Sequence, residues 1–205
     1  MATHNATIIE VHFPCHAVTI PSDHGYALYS AISRLVPEVH AADRVAIATI
    51  PGQAVGQGVT IPDPSATLRL RLPREQAPLI CALAGETLSL NGHRLTLGDP
   101  WLSALAPAPR LDSRIVTIKG FVESGPFLLA LGRKLEVLGV EPRVVMGARR
   151  VVRVADRTVV GFAVSLRGLG AAESILLQEN GLGGRRRIGC GILLPVRHHA
   201  AMIDD

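Results

Sequence analysis

Apolar and polar positions alternate over residues 7–13 (Thr-Ile-Ile-Glu-Val-His-Phe), the period-two pattern of a half-buried strand, and Pro14 closes the run. The period then changes. After the capping cluster Pro21-Ser-Asp23, residues Ala27, Leu28, Ala31, Ile32 and Leu35 fall at helical spacing over 24–35, and Pro37 ends the pattern. Residues 45–50 and 66–72 (Ala-Thr-Leu-Arg-Leu-Arg-Leu) read as strands joined by a loop rich in glycine and proline. Pro73 suits the first turn of a helix over 73–83, and 86–97 reads as two short strands around the Asn91-Gly92 turn. The predicted order, β-α-β-β-α-β, is the split βαβ arrangement of a ferredoxin-like unit.

A second pass of the same order follows. Residues 99–112 are punctuated by proline, as a linker would be. Beyond them, 113–119 alternates as a strand, Gly125-Pro126 opens a helix over 127–138, and Gly139 caps it. The β-branched runs 144–155 and 157–166 meet at Ala155-Asp156 as a hairpin; 171–180 reads as a short helix and 188–196 as a final strand. The expected fold is therefore α+β, with an N-terminal ferredoxin-like domain over 1–100, a linker over 101–112 and a C-terminal ferredoxin-like domain over 113–205. No residue-level repeat aligns the halves.

Between the last predicted helix and strand lies Gly181-Leu-Gly-Gly-Arg-Arg-Arg-Ile-Gly-Cys-Gly191, with five glycines and three consecutive arginines. Such a loop suits anion binding, because glycine lets backbone N–H groups turn inward on a phosphate while guanidinium forks supply charge and paired donors. The bland alternative is a glycine hairpin with solvated charges. Charge distribution favours the first reading. Residues 1–100 hold 6 basic and 8 acidic side chains (6 − 8 = −2), and residues 101–205 hold 15 and 9 (15 − 9 = +6). The second half therefore faces a polyanion.

Composition narrows the class further. A 48% apolar chain of 205 residues builds an ordered core, and no apolar run reaches the roughly 18 residues of a membrane span. The N-terminus lacks the order of a signal peptide, so a soluble, cytoplasmic protein is expected, with no membrane association. Cys15, Cys81 and Cys190 lie far apart with no CxxC pair, which argues for buried thiols rather than disulfides or zinc. No carboxylate cluster suited to a two-metal site appears, so neither metal nor cofactor is expected. Aromatic residues are 3% of the chain and form no strand-borne pair, which sets aside base stacking on a sheet.

Three stretches carry a family resemblance: Asp23-His-Gly-Tyr-Ala-Leu-Tyr29, Val116-Thr-Ile-Lys-Gly-Phe121, and Gln178-Glu-Asn-Gly followed by the basic loop to Gly191. Together with the tandem units, the chain resembles the RAMP superfamily of CRISPR-associated proteins, and within it the Cas-six-type endoribonucleases, small bacterial subtype branch. The resemblance implies metal-independent processing of CRISPR repeat precursor RNA and retention of the product, with other CRISPR effector subunits as possible partners. In that chemistry a 2′-hydroxyl attacks the adjacent phosphate, leaving a cyclic phosphate and a 5′-hydroxyl. Such a step needs a base, an acid and cations on the developing phosphorane charge.

Histidine suits the acid–base roles. Of the eight histidines, His4, His198 and His199 lie near the termini, His12 and His93 fall in strand and turn, and His16 lacks an evident partner. His24, at the start of the first helix, and His40, in the loop after it, remain. The resemblance places a tyrosine in the first helix and a catalytic histidine after it. That points to Tyr29 and His40, with His24 the alternative used by some branches. Arg44 is the third, charge-stabilising candidate, in a place the family usually gives to lysine. For RNA, the candidates are Gly181, Gly183, Gly184, Arg185, Arg186, Arg187 and Gly189 of the loop, Lys119, and Arg149, Arg150 and Arg153 of the hairpin. A non-catalytic guide-RNA-binding RAMP subunit and a small-molecule-binding ferredoxin-like module are the competing readings.

Overall fold

The computed structural model describes residues 7–42 and 44–196. Strand β1 (Ile8–His16) is central in the first sheet: it pairs with β6 (Thr67–Pro73) along one edge, and its other edge is shared by β9 (Trp101–Ala104) and β8 (His93–Leu97). The strand order is β3-β6-β1-β8-β7, where β3 is Ala46–Ile47 and β7 is Thr87–Leu90. Helix α1 (Gly25–Leu35) lays Ala27, Leu28, Ala31 and Ile32 on the face of β1 that carries Ile9, Val11 and Phe13. This is the apolar stripe that its spacing predicts. A four-residue helix, α2 (Glu38–Ala41), follows Pro37. Helix α3 (Ala77–Cys81), preceded by a 3-10 turn, closes the second crossover.

In the second unit, β10 (Arg110–Val116), α4 (Ser124–Val137), β11 (Arg143–Val154), β12 (Arg157–Arg167), α5 (Ala171–Asn180) and β13 (Leu194–Pro195) build a sheet of order β11-β12-β10-β13. Phe127 of α4 and Phe162 of β12 meet at a ring separation of 4.7 Å in its core. Both units are ferredoxin-like, so the tandem α+β architecture is present.

Four local expectations change. The first strand is buried on both faces: Glu10 and His12, on its polar side, are each 8% exposed, His12 under Trp101 of β9 and Glu10 against Arg71, which bonds α5 of the second unit. The glycine- and proline-rich loop contains a hairpin, β4 (Gly52–Gly56) and β5 (Val59–Pro62), which pairs with β2 (Ile20–Pro21) as a small third sheet. Within the expected linker, Trp101–Ala104 is a sheet strand. The expected final strand over 188–196 shrinks to Leu194–Pro195, because Gly189 and Gly191 take φ of +84° and +67°, which no strand accommodates.

The two units meet along a seam with three parts. Ile115, Val152, Val159, Ile188 and Cys190 form a small apolar cluster on which Tyr29 packs. Beside it, Arg71 of β6 donates through Nε to Glu10 Oε1 (2.7 Å), and through its terminal nitrogens to the carbonyl oxygen and Oε1 of Gln178 in α5 (2.9 and 3.3 Å). Burial pushes the Arg71 pKa down while Glu10 opposes it. Third, the backbone of α1 touches the Gly/Arg loop so closely that a Cβ on Gly25 would stand 2.2 Å from the carbonyl oxygen of Ile188.

That contact reverses the usual sign of a glycine replacement. Gly25→Ala is expected to cost roughly 1–3 kcal/mol by forcing the seam apart. Gly132→Ala in α4, where a Cβ meets nothing within 4 Å, is expected to stabilise by about 0.5–1 kcal/mol. Urea unfolding of the two variants against the parent measures both; a neutral Gly25→Ala would show that the seam yields freely.

Candidate active site and nucleic-acid interface

Tyr29 and His40 come together. Tyr29 lies on α1, half-buried against both the first core and the seam cluster, and exposed His40 lies on α2, one turn beyond the proline that stops α1. The Tyr29 hydroxyl is 2.6 Å from His40 Nδ1, and the rings are nearly parallel at 6.1 Å. One imidazole nitrogen is thereby held on an exposed side chain. From the second unit, the Arg187 guanidinium donates to the carbonyl oxygen of His40, which ties the short helix to the Gly/Arg loop.

The loop and Tyr29 share one cleft, with a volume of about 450 Å³ and a lining that includes Tyr26, Tyr29, Val154, Gly183, Arg185, Arg186 and Arg187, and His40 adjoins it through its bonds to Tyr29 and Arg187. Arg185 is exposed at its mouth with φ of +64°, and Arg186 donates to the carbonyl oxygen of Glu179 (3.2 Å). Burial, then the charges of Arg44 and Arg187, lower the Arg186 pKa. The arginines are thus crowded by one another, and an anion in the cleft would relieve that repulsion. Arg44 stands close enough to join them.

The glycines have a packing role beside the phosphate-binding one expected. The backbone amides of Gly181, Leu182, Gly184, Ile188, Gly189, Cys190 and Gly191 donate to protein carbonyls, among them Thr117, Ile115 and Leu177, and are not available to cradle a phosphate. What the glycines permit is close packing. A Cβ on Gly183 would stand 2.2 Å from the carbonyl oxygen of Thr117, and one on Gly189 would stand 2.6 Å from Thr49 Cγ2. The loop is an anchored platform, and Gly183 and Arg185–Arg187 line the cleft from it. Cys190 is buried in the seam, and burial pushes its thiol and that of Cys15 up to about 11.

His24 lies elsewhere. It is 3% exposed; its Nε2 accepts from the Ile50 amide (2.9 Å), so Nδ1 carries the proton and donates to the Pro21 carbonyl (2.8 Å). Both ring nitrogens are spent on backbone, which leaves none to exchange a proton with a substrate, and Ile50 is drawn out of the strand expected over 45–50. Lys119 is exposed in a turn beyond the end of β10 and does not line the cleft. His12 meets Ser103 Oγ at 2.8 Å and stacks on Trp101, and His93 meets Thr19 Oγ1 at 2.9 Å. His4, His198 and His199 lie outside the described residues.

The hairpin arginines divide between two faces. Strand alternation puts Arg150 with Val152 and Val154 toward the seam, and Arg149 and Arg153 away from it. Arg150 joins Arg69 and Arg114 around a groove of about 450 Å³ beside His24, which continues past Arg110 and Arg167. Arg69 and Arg114 were not among the sequence candidates. The alternating Leu-Arg-Leu-Arg-Leu of β6 was the signal: it sets Arg69 and Arg71 on one face of the sheet, where the second unit lies. Tyr26 was also missed, although it stands one helical turn before Tyr29.

Tandem ferredoxin-like units are the fold that this chain shares with RAMP proteins. The fold is similar to that of a solved RAMP protein described as binding different RNA substrates (TM-score 0.65, 14% identity, 93% of this chain and 99% of that one). It is also similar to a Cas6-related protein from Pyrococcus furiosus (TM-score 0.61, 16% identity, 94% and 99%). The chain belongs to the Cas6 family: the family described as Cas6 Crispr matches residues 9–198. The CRISPR-associated endonuclease Cas6 of Myxococcus xanthus (strain DK1622) is 39% identical over 194 residues, 91% of this chain and 81% of that protein.

Burial lowers the His24 pKa from its ordinary 6.5, aided by the Arg114 charge and opposed by the Pro21 hydrogen bond and Asp23. The unfolded state therefore binds the proton that the folded state refuses. Stability is complete above about pH 6.5 and falls as the pH drops from there toward the depressed folded value, by at most about 1.4 kcal/mol per pH unit. Urea unfolding between pH 7.5 and 5 measures the slope, and His24→Asn is expected to flatten it.

Proposed function

We propose that the protein is an endoribonuclease that cleaves CRISPR repeat precursor RNA without a metal ion and retains the product. The observation that carries this reading is the Tyr29–His40 pair, 2.6 Å apart, whose tyrosine lines the cleft that holds Arg185–Arg187 and whose histidine carbonyl accepts from Arg187. In the reaction, a base takes the proton of a ribose 2′-hydroxyl, the 2′-oxygen bonds to the adjacent phosphorus, and the bond from phosphorus to the 5′-oxygen breaks. That oxygen leaves with a proton from an acid. The products are a 2′,3′-cyclic phosphate and a 5′-hydroxyl.

His40 Nε2 exchanges the proton at one of these oxygens, and Tyr29, bonded to Nδ1, sets the tautomer and ring orientation. Arg185 and Arg186, with Arg44 nearby, stabilise the extra charge of the phosphorane, an arrangement of fixed donors aimed at charge that develops only in the transition state. Arg187 acts through His40: its guanidinium holds the carbonyl of the residue that does the chemistry. The groove lined by Arg69, Arg114 and Arg150 extends the positive surface beyond the cleft and gives the RNA a second hold, which favours retention of the product. These cations recognise backbone and shape rather than base edges.

Cleavage of a cognate repeat RNA in EDTA is the primary test; tight binding with the RNA left intact would favour a guide-binding RAMP subunit instead. His40→Ala is expected to lower single-turnover cleavage by roughly 100- to 10,000-fold with RNA affinity nearly unchanged. Arg187→Ala is expected to lower the cleavage rate more than affinity, whereas Arg185→Ala weakens binding and flattens its dependence on salt. Filter binding across a salt series, run beside the single-turnover rates, separates the two. Equal effects on rate and affinity in Arg187→Ala would return it to the phosphate-binding group.

A further inference from the structure

The cleft contains an aromatic ring that the cleavage chemistry does not use. The chain has two tyrosines, and both are on α1. Tyr29 is bonded to His40. Tyr26 makes no part of that pair: it is 36% exposed, lines the cleft with Arg185–Arg187, and stands 6.5 Å from the Tyr29 ring at a tilt of 49°. The other large aromatics are occupied elsewhere. Phe13, Phe127 and Phe162 are core residues, Phe121 packs against the second core, and Trp101 stacks on His12.

Position decides what this ring meets. Gly25, directly before it, is pinned against the Ile188 carbonyl, so the first turn of α1 cannot swing and Tyr26 is presented from a fixed backbone. A phosphate placed between the Tyr29–His40 pair and the loop arginines carries a ribose and a base on each side. The remaining cleft wall is aliphatic, formed by Val45, Val154 and Ile188, with Tyr26 as the aromatic face among it. A flat apolar surface beside a phosphate site fits the π-face of a nucleobase. Such stacking tolerates any base and needs no hydrogen-bond readout.

Resting on the nuclease reading above, we propose that Tyr26 is a positioning residue: its ring stacks the base of a nucleotide flanking the scissile phosphate and so aligns the 2′-oxygen for attack. It takes no part in proton transfer. The ring face carries the role, and the hydroxyl does not. This stacking is on a helix at the cleft, separate from the sheet surfaces.

The test uses the full chain and a repeat RNA with 2-aminopurine placed in turn at the nucleotides on either side of the cleaved bond, with a 2′-deoxy sugar at the attacking nucleotide to block cleavage. Binding to the parent protein is expected to quench the fluorophore at one of these positions. Tyr26→Phe is expected to keep both the quenching and the cleavage rate of the unblocked RNA. Tyr26→Leu, which keeps apolar bulk beside Tyr29 but lacks a π-face, is expected to lose the quenching and to bind roughly 5- to 150-fold more weakly. An abasic nucleotide at the quenched position should erase the difference in affinity between parent and Tyr26→Leu. Quenching that persists in Tyr26→Leu, or equal defects in the Phe and Leu variants, would overturn the proposal. A parent protein that binds without cleaving would instead refute the nuclease reading, while the quenching comparison would still decide the role of Tyr26.

Discussion

Everything at the candidate site depends on two backbones that touch. The first turn of α1 and the 3-10 turn Arg186–Ile188 approach until only a glycine fits, at Gly25, and Gly189 repeats the constraint against Thr49. A site assembled from two domains is usually vulnerable to their relative motion, because interdomain interfaces are commonly small and polar. Here the catalytic candidates come from the first unit and the arginines from the second, so any slack at the seam would separate acid–base groups from the charges that assist them. Direct backbone contact removes that slack in a way that longer side chains could not.

The same seam accounts for the buried charges. Glu10, Arg71 and Gln178 form a connected network across the two units, and a buried pair of this kind is weak evidence of net stability, since desolvation offsets much of the attraction. Losing one partner, however, leaves the other uncompensated. The network therefore discriminates between registers: α5 can dock on β1 and β6 only where Gln178 meets Arg71. Because α5 leads directly into the Gly/Arg loop, this choice of register also places Arg185–Arg187. Packing, polar specificity and site geometry are three consequences of one docking arrangement.

Much of this was legible in the sequence, and what was not has physical causes. Period-two and helical spacing locate α1, β6, β10, α4, the β11–β12 hairpin and α5 to within a few residues, because each buries one regular face. The pair Tyr29 and His40 followed from the family resemblance and is close in space. Periodicity could not show that β1 is buried on both faces, since Glu10 and His12 look solvent-directed until Trp101 stacks on one and the Arg71–Gln178 network closes over the other. Nor could it show that the glycines near residue 190 break the final strand; an apolar run reads as a strand whether or not its φ angles permit one. His24 looked as suitable as His40 on position alone, and only the structure shows the amide of Ile50, in the segment after β3, bonded to its buried ring.

The division of labour among the arginines follows from where each guanidinium ends. Arg187 is bound to the His40 carbonyl, Arg186 to the Glu179 carbonyl, and Arg185 is exposed, so three adjacent residues of one type hold three different positions. A loop whose amides pointed inward would bind phosphate by itself and would need no partner domain. This loop has most of its amides committed to the fold, and its charge reaches the cleft through side chains whose positions depend on α2 and α5. Affinity for an anion and alignment of His40 are consequently coupled: whatever orders the arginines also orders the helix that carries the histidine. In such a site, productive geometry is built when the phosphate arrives between two units already locked together, and the glycine-rich segment contributes by letting them lock.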